Sequence, residues 1–557
     1  MPYLYEERDL DHSVKTDSFV SSLSPVVQGF LARRGYNTPQ DIYQVFHGDM
    51  SIILNNLDMK DSDKAVALLQ NAIKEKEKIV VYRDYDCDGC CAAAVTVAAL
   101  ASLGAQVFQY GNQRELDGYG ICIRGIEQIL CYHPDTKVIL TVDNGIVAYE
   151  AVEFAKSKGL TVIVTDHHEM GEELPVADAV VDPKRRDEFC NFRELCGAGV
   201  AFKLMLALYT AENQDLSPVL FCTDIVAMAT VGDIVPLYGE NRIIVKEGLK
   251  MMNQGTRPFF REVMRQEKLN KISASSELGF RIVPMINAPS RMGGDVNVAV
   301  CALLEGENNA LTEQVAYLKQ LNEARKKETE VAQRKAAQIV KTMDLDAPAL
   351  LVLCPDLPEG LVGLVAGRLM NTYHKIVGVF HQGKEGMLKG SFRGIEGFHI
   401  KDALDQISSG LLQQYGGHGK AAGLSLPEEN FEAFQAEFMA LVQVAFPEGT
   451  GEASVFLDGQ LEEEDCNLKL ALELQELEPF GEGFPPPYFS LSLPENNPTF
   501  MGTEKQHVAY VGKGGLRALR WRYGEKERES TEKAEIFYGN LDINHFRGRE
   551  TVQFLCQ

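Results

Sequence analysis

Short apolar runs alternate with helix-length stretches between residues 78 and 183. The apolar runs read KIVVYRD, QVFQYGN, KVILTVD, TVIVTD and ADAVVDP. Continuous apolar runs separated by helices are typical of a parallel sheet that is buried on both faces. Because crossover connections are right-handed, the carboxyl ends of these strands should lie along one edge, where such sheets bind ligands. The pattern therefore predicts an α/β domain with a ligand site at that edge.

Acidic residues close three of these runs. A solvated acidic turn without function would explain one such run, but three at the same edge argue against coincidence. If the first strand continued past its apolar run, alternation would place its three aspartates on one face, where their mutual repulsion calls for a cation. The candidate residues are Asp84, Asp86 and Asp88 after the first run, Asp143 at the end of the third, and Asp166, His167 and His168 at the end of the fourth.

The remainder of the chain predicts further elements and domains. SPVLFCTDIVAMATVGDIVPLYGENR predicts a helix that runs into a turn carrying Asp233, and residues 311–342, without Gly or Pro, predict a long connecting helix. APALLVLCPD, KIVGVF and MLKGSF predict strands of a second α/β unit, and turn-punctuated strands from about residue 447 predict a small β-barrel. The expected domains are an N-terminal helical segment at 1–60, a first α/β domain at 61–310, the connecting helix at 311–342, a second α/β domain at 343–446 and a barrel at 447–557.

Length and composition fit a multidomain globular protein. The chain has 557 residues and is therefore too long for a single core. Its composition, 45% hydrophobic and 24% charged, is ordinary for a globular protein. The start of the sequence shows no secretory signal, and no run approaches the ~20 apolar residues that span a bilayer. We therefore expect a cytoplasmic protein without membrane association, whose twelve cysteines are reduced thiols. The net charge of −24 argues against a protein that coats nucleic acid, but it is compatible with a local basic groove beside an acidic centre.

The donor atoms collected at the predicted edge favour a particular class of metal. Hard oxygen ligands with a single histidine suit Mg²⁺ or Mn²⁺ better than Zn²⁺. One ion needs fewer ligands than are present, whereas two ions ~3.5–4 Å apart can share a bridging carboxylate, and such pairs hydrolyse phosphodiesters. No GxSxG or GxxxxGK[ST] motif offers a competing chemistry, and GAGVAF at 197–202 is a weak cofactor signal. The donors are Asp84, Asp86, Asp88, Asp143, His167 and Asp233.

These motifs resemble those of the DHH phosphoesterase superfamily. DYDCDG, VDNG and TDHHE look like its first three motifs, and ATVGDIVPLYGENR looks like its fourth. NQRELDGYG, INAPSRMGG, YGGHGKAAGLSL and LEPFGEGFPPPYF resemble, in order and spacing, the bacterial branch of single-stranded-DNA-specific exonucleases. The resemblance covers nearly the whole chain. It implies a parallel-sheet DHH domain, joined by the long helix to a second α/β, DHH-associated domain that grips nucleic acid, and a C-terminal OB-type domain.

The resemblance also implies a role for each candidate residue. His168 would act at the scissile phosphate as an electrophile or proton donor, or else brace His167, and Asp166 would fix the orientation of a histidine. The implied ligand sets are Asp84 and Asp86 for one cation and Asp88, His167 and Asp233 for the other, with Asp143 bridging the two. The positions that match substrate-binding residues of the family are Arg114, Asn287, Arg291, Arg393, Gly416, Gly417 and His418.

The leading hypothesis is a processive exonuclease that degrades single-stranded DNA 5′→3′ to nucleoside monophosphates by two-metal hydrolysis, in DNA repair and recombination. The alternative is a DHH-family nanoRNA or cyclic-dinucleotide phosphodiesterase, although such enzymes typically end after the DHH-associated domain. A third hypothesis is a catalytically dead member of a replication complex, which would lack metal ligands. We expect a monomer that binds single-stranded DNA, with a single-strand-binding protein and a helicase as candidate partners. Because the chemistry lies in residues 80–233, removal of residues 447–557 should spare cleavage of very short oligonucleotides.

Overall fold

The chain folds into two compact units. The larger unit contains residues 5–283, 300–311 and 455–557, and the smaller unit contains residues 1–4, 284–299 and 312–454. The structure, a computed structural model, describes residues 4–7, 17–112, 118–383, 386–417, 419–450, 454–502, 506–521, 534–546 and 548–556.

A five-stranded parallel sheet forms the centre of the larger unit. Val80, Val81 and Ile139 are fully buried, as expected for strands in a sheet that is covered on both faces. The five apolar runs of the sequence therefore form the five strands, and the predicted parallel sheet is confirmed. In spatial order the strands are Gln106–Gly111, Lys78–Arg83, Thr136–Val142, Thr161–Thr165 and Ala179–Val181.

Helices rich in small side chains pack on this sheet. Helix Cys87–Ser102 contacts the strand Lys78–Arg83 and the helix Gly197–Ala211, and its buried alanines and cysteines permit this close packing. None of the helices among the described residues has the length and low polarity needed to cross a bilayer. Further helices are Ser62–Lys74, Ile123–Tyr132, Tyr149–Ser157, Ser217–Leu220, Thr223–Gly232, Gly239–Gln254, Pro258–Glu267, Ser275–Glu277, the π-helical turn Leu278–Ile282, Val283–Ile286, Ala288–Arg291 and Asn297–Leu304.

The N-terminal helices share a hydrophobic core with the C-terminal domain. The helices Pro25–Arg33, Pro39–His47 and Met50–Leu54 follow the N-cap residues that the sequence places before each of them. The rings of Phe30 and Phe484 meet edge to face within that common core, with centroids 5.7 Å apart. The N-terminal segment is therefore buried against residues more than four hundred positions further along the chain.

The C-terminal domain is built on a seven-stranded sheet. Helix Leu468–Glu476 packs on its long strand Ile536–Phe546, and strand Ser454–Leu457 precedes the sheet. The tail therefore contains the turn-punctuated strands that the sequence predicts. In spatial order they are Gln460–Glu462, Phe489–Ser492, Ile536–Phe546, Arg549–Cys556, Arg517–Arg520, His507–Gly512 and Asn496–Met501.

The smaller unit is a second α/β structure. The helix Asn309–Val340, 32 residues long, leads into it and corresponds to the predicted connecting helix. Phe392 and Phe438 meet in a core that is rich in aromatic rings. The strands, in spatial order, are Gln414–Gly417, Ala421–Pro427, Met387–Arg393, Ile376–Gln382 and Ala349–Leu353, and the helices are Val362–Tyr373, Ile400–Asp405 and Phe431–Ala445.

Candidate metal centre

The aspartates of DYDCDG lie where a strand turns into a helix. The strand ends at Arg83, and the Asp86 side chain caps the next helix by accepting a hydrogen bond from the backbone N–H of Gly89 at 3.1 Å. A side chain at Gly89 would place its Cβ 2.7 Å from the carbonyl oxygen of Asp84, so the tight turn requires glycine there. The strand therefore does not continue through Asp88. The alternation that a continued strand would give therefore does not apply, and the three aspartates instead flank the turn into the helix that Asp86 caps.

The start of a second helix fixes the carboxylate of Asp88. The backbone N–H groups of Gly197 and Ala198 donate to its two oxygens at 2.6 and 2.8 Å. These N–H groups belong to the first turn of a helix and have no carbonyl partner within it, so they favour an anion. The GAGVAF segment, a weak cofactor signal in the sequence, thus supports a candidate metal ligand. In the sequence, the glycine-rich start of this helix is the only feature that could have indicated the contact with Asp88.

Asp143 occupies an uncommon backbone conformation at the end of its strand. Its φ angle is +61°, in the left-handed region that aspartate tolerates better than most residues. The following residue, Asn144, donates to the carbonyl oxygens of Tyr82 and Val142 at 3.1 and 2.9 Å and thereby ties two strand ends together. A Cβ at Gly197 would lie 2.5 Å from that of Asp143. Close packing therefore holds the Asp143 carboxylate in place.

His167 lies between three carboxylates. Its Nε2 atom is 3.2 Å from Oδ1 of Asp143, 3.7 Å from Oδ2 of Asp88 and 3.6 Å from Oδ2 of Asp233. Asp233 caps the end of the helix Thr223–Gly232, as the sequence predicts. One donor atom from each of Asp88, His167 and Asp233 falls within a mutual distance of 4.8 Å.

A second group of donors adjoins the first. One carboxylate oxygen from each of Asp84, Asp86 and Asp143 also falls within a mutual distance of 4.8 Å. The structure therefore brings all six predicted donors to one sheet edge in two groups. Asp143 belongs to one group and contacts the histidine of the other.

Burial and mutual repulsion raise the pKa values of these carboxyl groups. Burial first, and then the neighbouring charge of Asp86, raise the pKa of Asp84 to about 8 and that of Asp88 to about 6. Burial, followed by the charge of Asp88, also raises the pKa of both Asp143 and Asp233 well above the usual range. The Oδ1 atoms of Asp84 and Asp143 are buried and accept no hydrogen bond from any described residue. Buried carboxylate oxygens without donors fit a hard divalent cation, which would neutralise them.

Asp166 orients His168 and holds it protonated. The Nδ1 atom of His168 lies 2.7 Å from Oδ1 of Asp166, and the other carboxylate oxygen accepts from the N–H of Ile146 at 2.9 Å. Burial alone would lower the pKa of His168, but the hydrogen bond and charge of Asp166 raise it to about 9. Burial alone would raise the pKa of Asp166, but His168 lowers it to about 2. The contact with Asp166 therefore favours the imidazolium form of His168.

Two residues beside this pair were not singled out by the sequence. The Tyr119 hydroxyl donates to the backbone oxygen of Asp143 at 3.1 Å and lies 3.0 Å from Nδ1 of His168. Asp182 follows the strand Ala179–Val181 and is fully buried, and burial followed by the charge of Asp166 raises its pKa to about 7. The run ADAVVDP carries the same strand-end aspartate as its neighbours, so Asp182 could have been included on pattern alone.

The predicted substrate residues belong largely to the smaller unit. Nη1 of Arg291 donates to the carbonyl oxygen of Gly360 at 3.3 Å, and Nη1 of Arg393 donates to the carbonyl oxygen of Phe392 at 2.7 Å. Oδ1 of Asn287 is buried and accepts no hydrogen bond from any residue that the structure describes.

The predicted glycines differ in what their positions require. Gly417 has a φ of +141°, and a Cβ there would clash with the carbonyl oxygen of Ala421, whereas Gly416 faces open space. The former position requires glycine, and the latter leaves room for a ligand to approach the backbone. Two further predicted residues, Arg114 and His418, lie outside the described residues.

Comparison with known proteins reveals relatives along the whole chain. Residues 78–230 match the DHH family N-terminal domain, residues 347–443 the DHHA1 domain and residues 457–557 the RecJ OB domain. The chain is 33% identical to the single-stranded-DNA-specific exonuclease RecJ of Escherichia coli, over 97% of this chain and 96% of that protein. It is 34% identical to the protein of that name from Haemophilus influenzae, over 90% of this chain and 91% of that one.

Solved structures give a matching result. The crystal structure of RecJ from Thermus thermophilus in complex with Mn²⁺ has a TM-score of 0.83 and 29% identity, and the match covers 100% of this chain and 79% of that one. The Mg²⁺ complex of the same protein gives a TM-score of 0.77 and 28% identity, with 100% and 78% covered.

The fold and the acid-rich sheet edge together define a phosphoesterase of the DHH class. Within that class, the chain belongs to the RecJ family. The predicted resemblance, the enzyme class of phosphodiester hydrolase and the OB-type C-terminal domain are confirmed. The expected cofactor, Mn²⁺ or Mg²⁺, is confirmed by the donor groups described above together with the two T. thermophilus complexes. The roles of individual residues and the domain bounds remain predictions.

Proposed function

We propose that the chain is a metal-dependent exonuclease that degrades single-stranded DNA from its 5′ end and releases nucleoside monophosphates. The observation that carries the proposal is the double contact of Asp143. One of its carboxylate oxygens lies close to carboxylate oxygens of Asp84 and Asp86. Its Oδ1 atom also lies 3.2 Å from Nε2 of His167. Two cations ~3.5–4 Å apart, as in two-metal centres for phosphodiester hydrolysis, can share a carboxylate that contacts two donor groups in this way. Family membership supports the nuclease activity and its single-stranded DNA substrate.

Six side chains would hold the two cations. When bound, a pair of divalent cations lowers the pKa of a water and neutralises charge on the attacked phosphate. The N–H groups of Gly197 and Ala198 would keep the Asp88 carboxylate turned toward its cation, because both of its oxygens accept from them. The proposed ligands are Asp84 and Asp86 for one cation and Asp88, His167 and Asp233 for the other, with Asp143 between them.

His168 would supply positive charge and a proton at the phosphate. Its Nδ1 atom contacts Asp166 at 2.7 Å, so proton donation to a phosphate oxygen would come from Nε2. The raised pKa of about 9 keeps the imidazolium form at neutral pH. Asp166 would act as a positioning residue, since it fixes the ring through a hydrogen bond and stabilises the charged form.

The substrate strand would be held by arginine and glycine positions. Guanidinium groups bind phosphate oxygens bidentately, and glycine permits close approach of the backbone to a phosphate. The exposed Gly416, with open space where a side chain would stand, supports such an approach. The proposed substrate residues are Arg114, Asn287, Arg291, Arg393, Gly416, Gly417 and His418.

The other functions considered are less well supported. NanoRNA and cyclic-dinucleotide phosphodiesterases of the superfamily typically end after the associated domain, whereas residues 457–557 here match the RecJ OB domain. A catalytically dead protein would lack metal ligands, but the six donors come together at one edge. We also propose a role in DNA repair and recombination and a cytoplasmic location, which family membership supports. The monomeric state and contacts with a single-strand-binding protein and a helicase remain predictions.

Digestion of end-labelled oligonucleotides tests the proposal. DNA and RNA strands carrying a 5′ or a 3′ label would be incubated with Mn²⁺, Mg²⁺ or EDTA and resolved by length. We expect the 5′ label to leave first as a mononucleotide and the 3′ label to be released only after the rest of the strand, with DNA preferred and EDTA abolishing the reaction. A blunt duplex should react slowly, because unpairing each nucleotide costs a few kcal/mol. Release of the 3′ label first would contradict the proposed direction.

A further inference from the structure

Ile234 has a backbone conformation that is unfavourable for its side chain. Its φ angle is +59°, a region in which β-branched residues are outliers. The other non-glycine residues with positive φ in the described part of the chain are all polar: Asp61, Lys76, Asp143, Asn213, Lys268 and His374. Ile234 directly follows Asp233, a proposed metal ligand. The strained residue therefore adjoins the metal centre.

The backbone on both sides of Ile234 is firmly anchored. The N–H of Asp233 donates to the carbonyl oxygen of Ala229 at 2.8 Å, and that of Leu237 donates to the carbonyl oxygen of Glu482 at 2.7 Å. Leu237 is only 2% exposed. Because both ends are tied, the surrounding structure imposes the backbone conformation of Ile234 and so fixes the position of its Cβ atom.

The Ile234 side chain gains little from burial within the protein. It is 69% exposed, and Phe280, on the adjacent π-helical turn, is 80% exposed. The turn packs on the helix that ends before Asp233, since a Cβ at Gly279 would lie 3.5 Å from Cγ1 of Val231. Two exposed apolar side chains thus emerge from packed elements: Ile234 directly follows a proposed metal ligand, and Phe280 lies on a turn that packs on the helix ending before that ligand. π-helical turns inside helices are frequent at functional sites.

We infer that Ile234 is a substrate contact: its side chain packs against the base of a nucleotide that flanks the phosphate at the metal centre, and Phe280 extends this apolar surface. The inference rests on the proposed nuclease function. Bases present flat apolar faces in a single strand, and an aliphatic or aromatic side chain contacts any of them without reading sequence. In a duplex these faces are stacked and inaccessible, so the contact also favours single strands.

A coupling experiment between side chain and base tests the inference. Oligonucleotides that are intact, or abasic at the first or second nucleotide from the 5′ end, would be compared by kcat/KM for wild type and Ile234→Asn. Asparagine tolerates positive φ, so the backbone should be kept. For wild type, we expect kcat/KM on one of the abasic strands to be about tenfold lower than on the intact strand; this ratio is the abasic penalty. In Ile234→Asn the penalty should be smaller by about threefold or more. Lys268→Asn, with φ +55° at the end of the helix Pro258–Glu267, is the matched control and should keep the full penalty.

Binding of Mn²⁺ separates the contact from an effect on Asp233. Titration of both variants with Mn²⁺ should give the wild-type affinity. Weaker Mn²⁺ binding by Ile234→Asn, or an unchanged abasic penalty, would overturn the contact with the base. If wild type cleaves intact strands but shows no abasic penalty, the inference fails and the nuclease function stands. If wild type cleaves no single strand at all, both fail.

Discussion

Nε2 of His167 lies 3.2 Å from Oδ1 of Asp143, although the two residues follow the ends of different strands of the parallel sheet. The contact joins two groups of donors that would otherwise be separate sites. It depends on the left-handed backbone of Asp143, with a φ of +61°, and on the absence of a side chain at Gly197. The geometry of this pair leads to predictions about metal binding, stability and pH dependence.

Gly197→Ala should weaken metal binding without unfolding the protein. The new Cβ would lie 2.5 Å from that of Asp143, so one of the two backbones must shift by a few tenths of an ångström or more. Alanine is otherwise favourable in a helix. We expect at least a tenfold loss of Mn²⁺ affinity, about 1.4 kcal/mol, measured by titration. Gly306→Ala, where a Cβ meets nothing within 4 Å, is the control, and equal Mn²⁺ affinities in the two variants would refute the packing argument.

The metal-free protein should lose stability as the pH rises. The folded-state pKa values of Asp84 and Asp88, about 8 and 6, lie above the usual 3.8. The folded state therefore binds more protons than the unfolded state, and the free energy of unfolding falls between about pH 4 and pH 8. The raised pKa of His168, about 9, acts in the same direction from its usual 6.5 upward.

Thermal unfolding in EDTA and in Mn²⁺ across this range measures the effect. With Mn²⁺ bound the carboxylates are neutralised by the cations, so the fall should be much smaller. Asp84→Asn in EDTA should also show a shallower fall than wild type. A midpoint that rises from pH 5 to pH 8 in EDTA would contradict the assignment of raised pKa values.

Asp166→Asn should shift the alkaline limit of activity to lower pH. Asp166 raises the pKa of His168 against the effect of burial, so its loss should lower that pKa from about 9. The imidazolium would then be lost at a lower pH, and kcat/KM at pH 8 should fall more than at pH 6. The pH profile of single-strand cleavage measures this. Tyr119→Phe, which removes a contact to Nδ1 but no charge, should keep the wild-type limit, and identical profiles for Asp166→Asn and wild type would exclude His168 as the acid.

Asp458→Ala should destabilise the junction between the N-terminal helices and the C-terminal domain. Nη2 of Arg34 lies 2.8 Å from Oδ2 of Asp458, and these side chains are only 4% and 0% exposed. Removal of one partner leaves a buried charge unpaired, which costs about 3–5 kcal/mol. Urea unfolding measures the change. Asp135→Ala, which removes a solvent-exposed pair with Lys78, is the control and should have little effect; equal midpoints in the two variants would contradict the burial argument.

The hydrophobic core shared by the N-terminal helices and the C-terminal domain bears on the removal of residues 447–557, which the sequence predicts to spare cleavage of very short oligonucleotides. The N-terminal helices are buried against Leu470, Phe484 and other residues of that segment. Its deletion would expose their apolar faces, so loss of activity after truncation would report on folding as well as on DNA binding. Substitutions on the exposed surface of the domain, such as Trp521→Ala, separate the two effects better, because Trp521 is 54% exposed.

Local patterns were enough to predict the sheet and the donors at its edge. The runs around Val80 and Ile139 are continuous and apolar, so burial on both faces was readable, and parallel strands carry their end residues to one edge. The sequence did not reveal how Asp88 is held, since its partner helix begins more than a hundred residues later. The core that contains Phe30 and Phe484 joins segments that are still further apart in the chain. The hydrophobic pattern within either segment does not identify the other as its packing partner.

The most direct test of the central claim is the number of Mn²⁺ ions bound per chain, measured together with cleavage of a 5′-labelled single strand. We predict two ions for wild type and for Asp135→Asn, both active. Asp143→Asn keeps the shape and tolerates the left-handed backbone, but it removes the shared charge, so it should bind fewer than two ions and lose cleavage at saturating Mn²⁺. Two tightly bound ions and full cleavage in Asp143→Asn would contradict the two-metal centre.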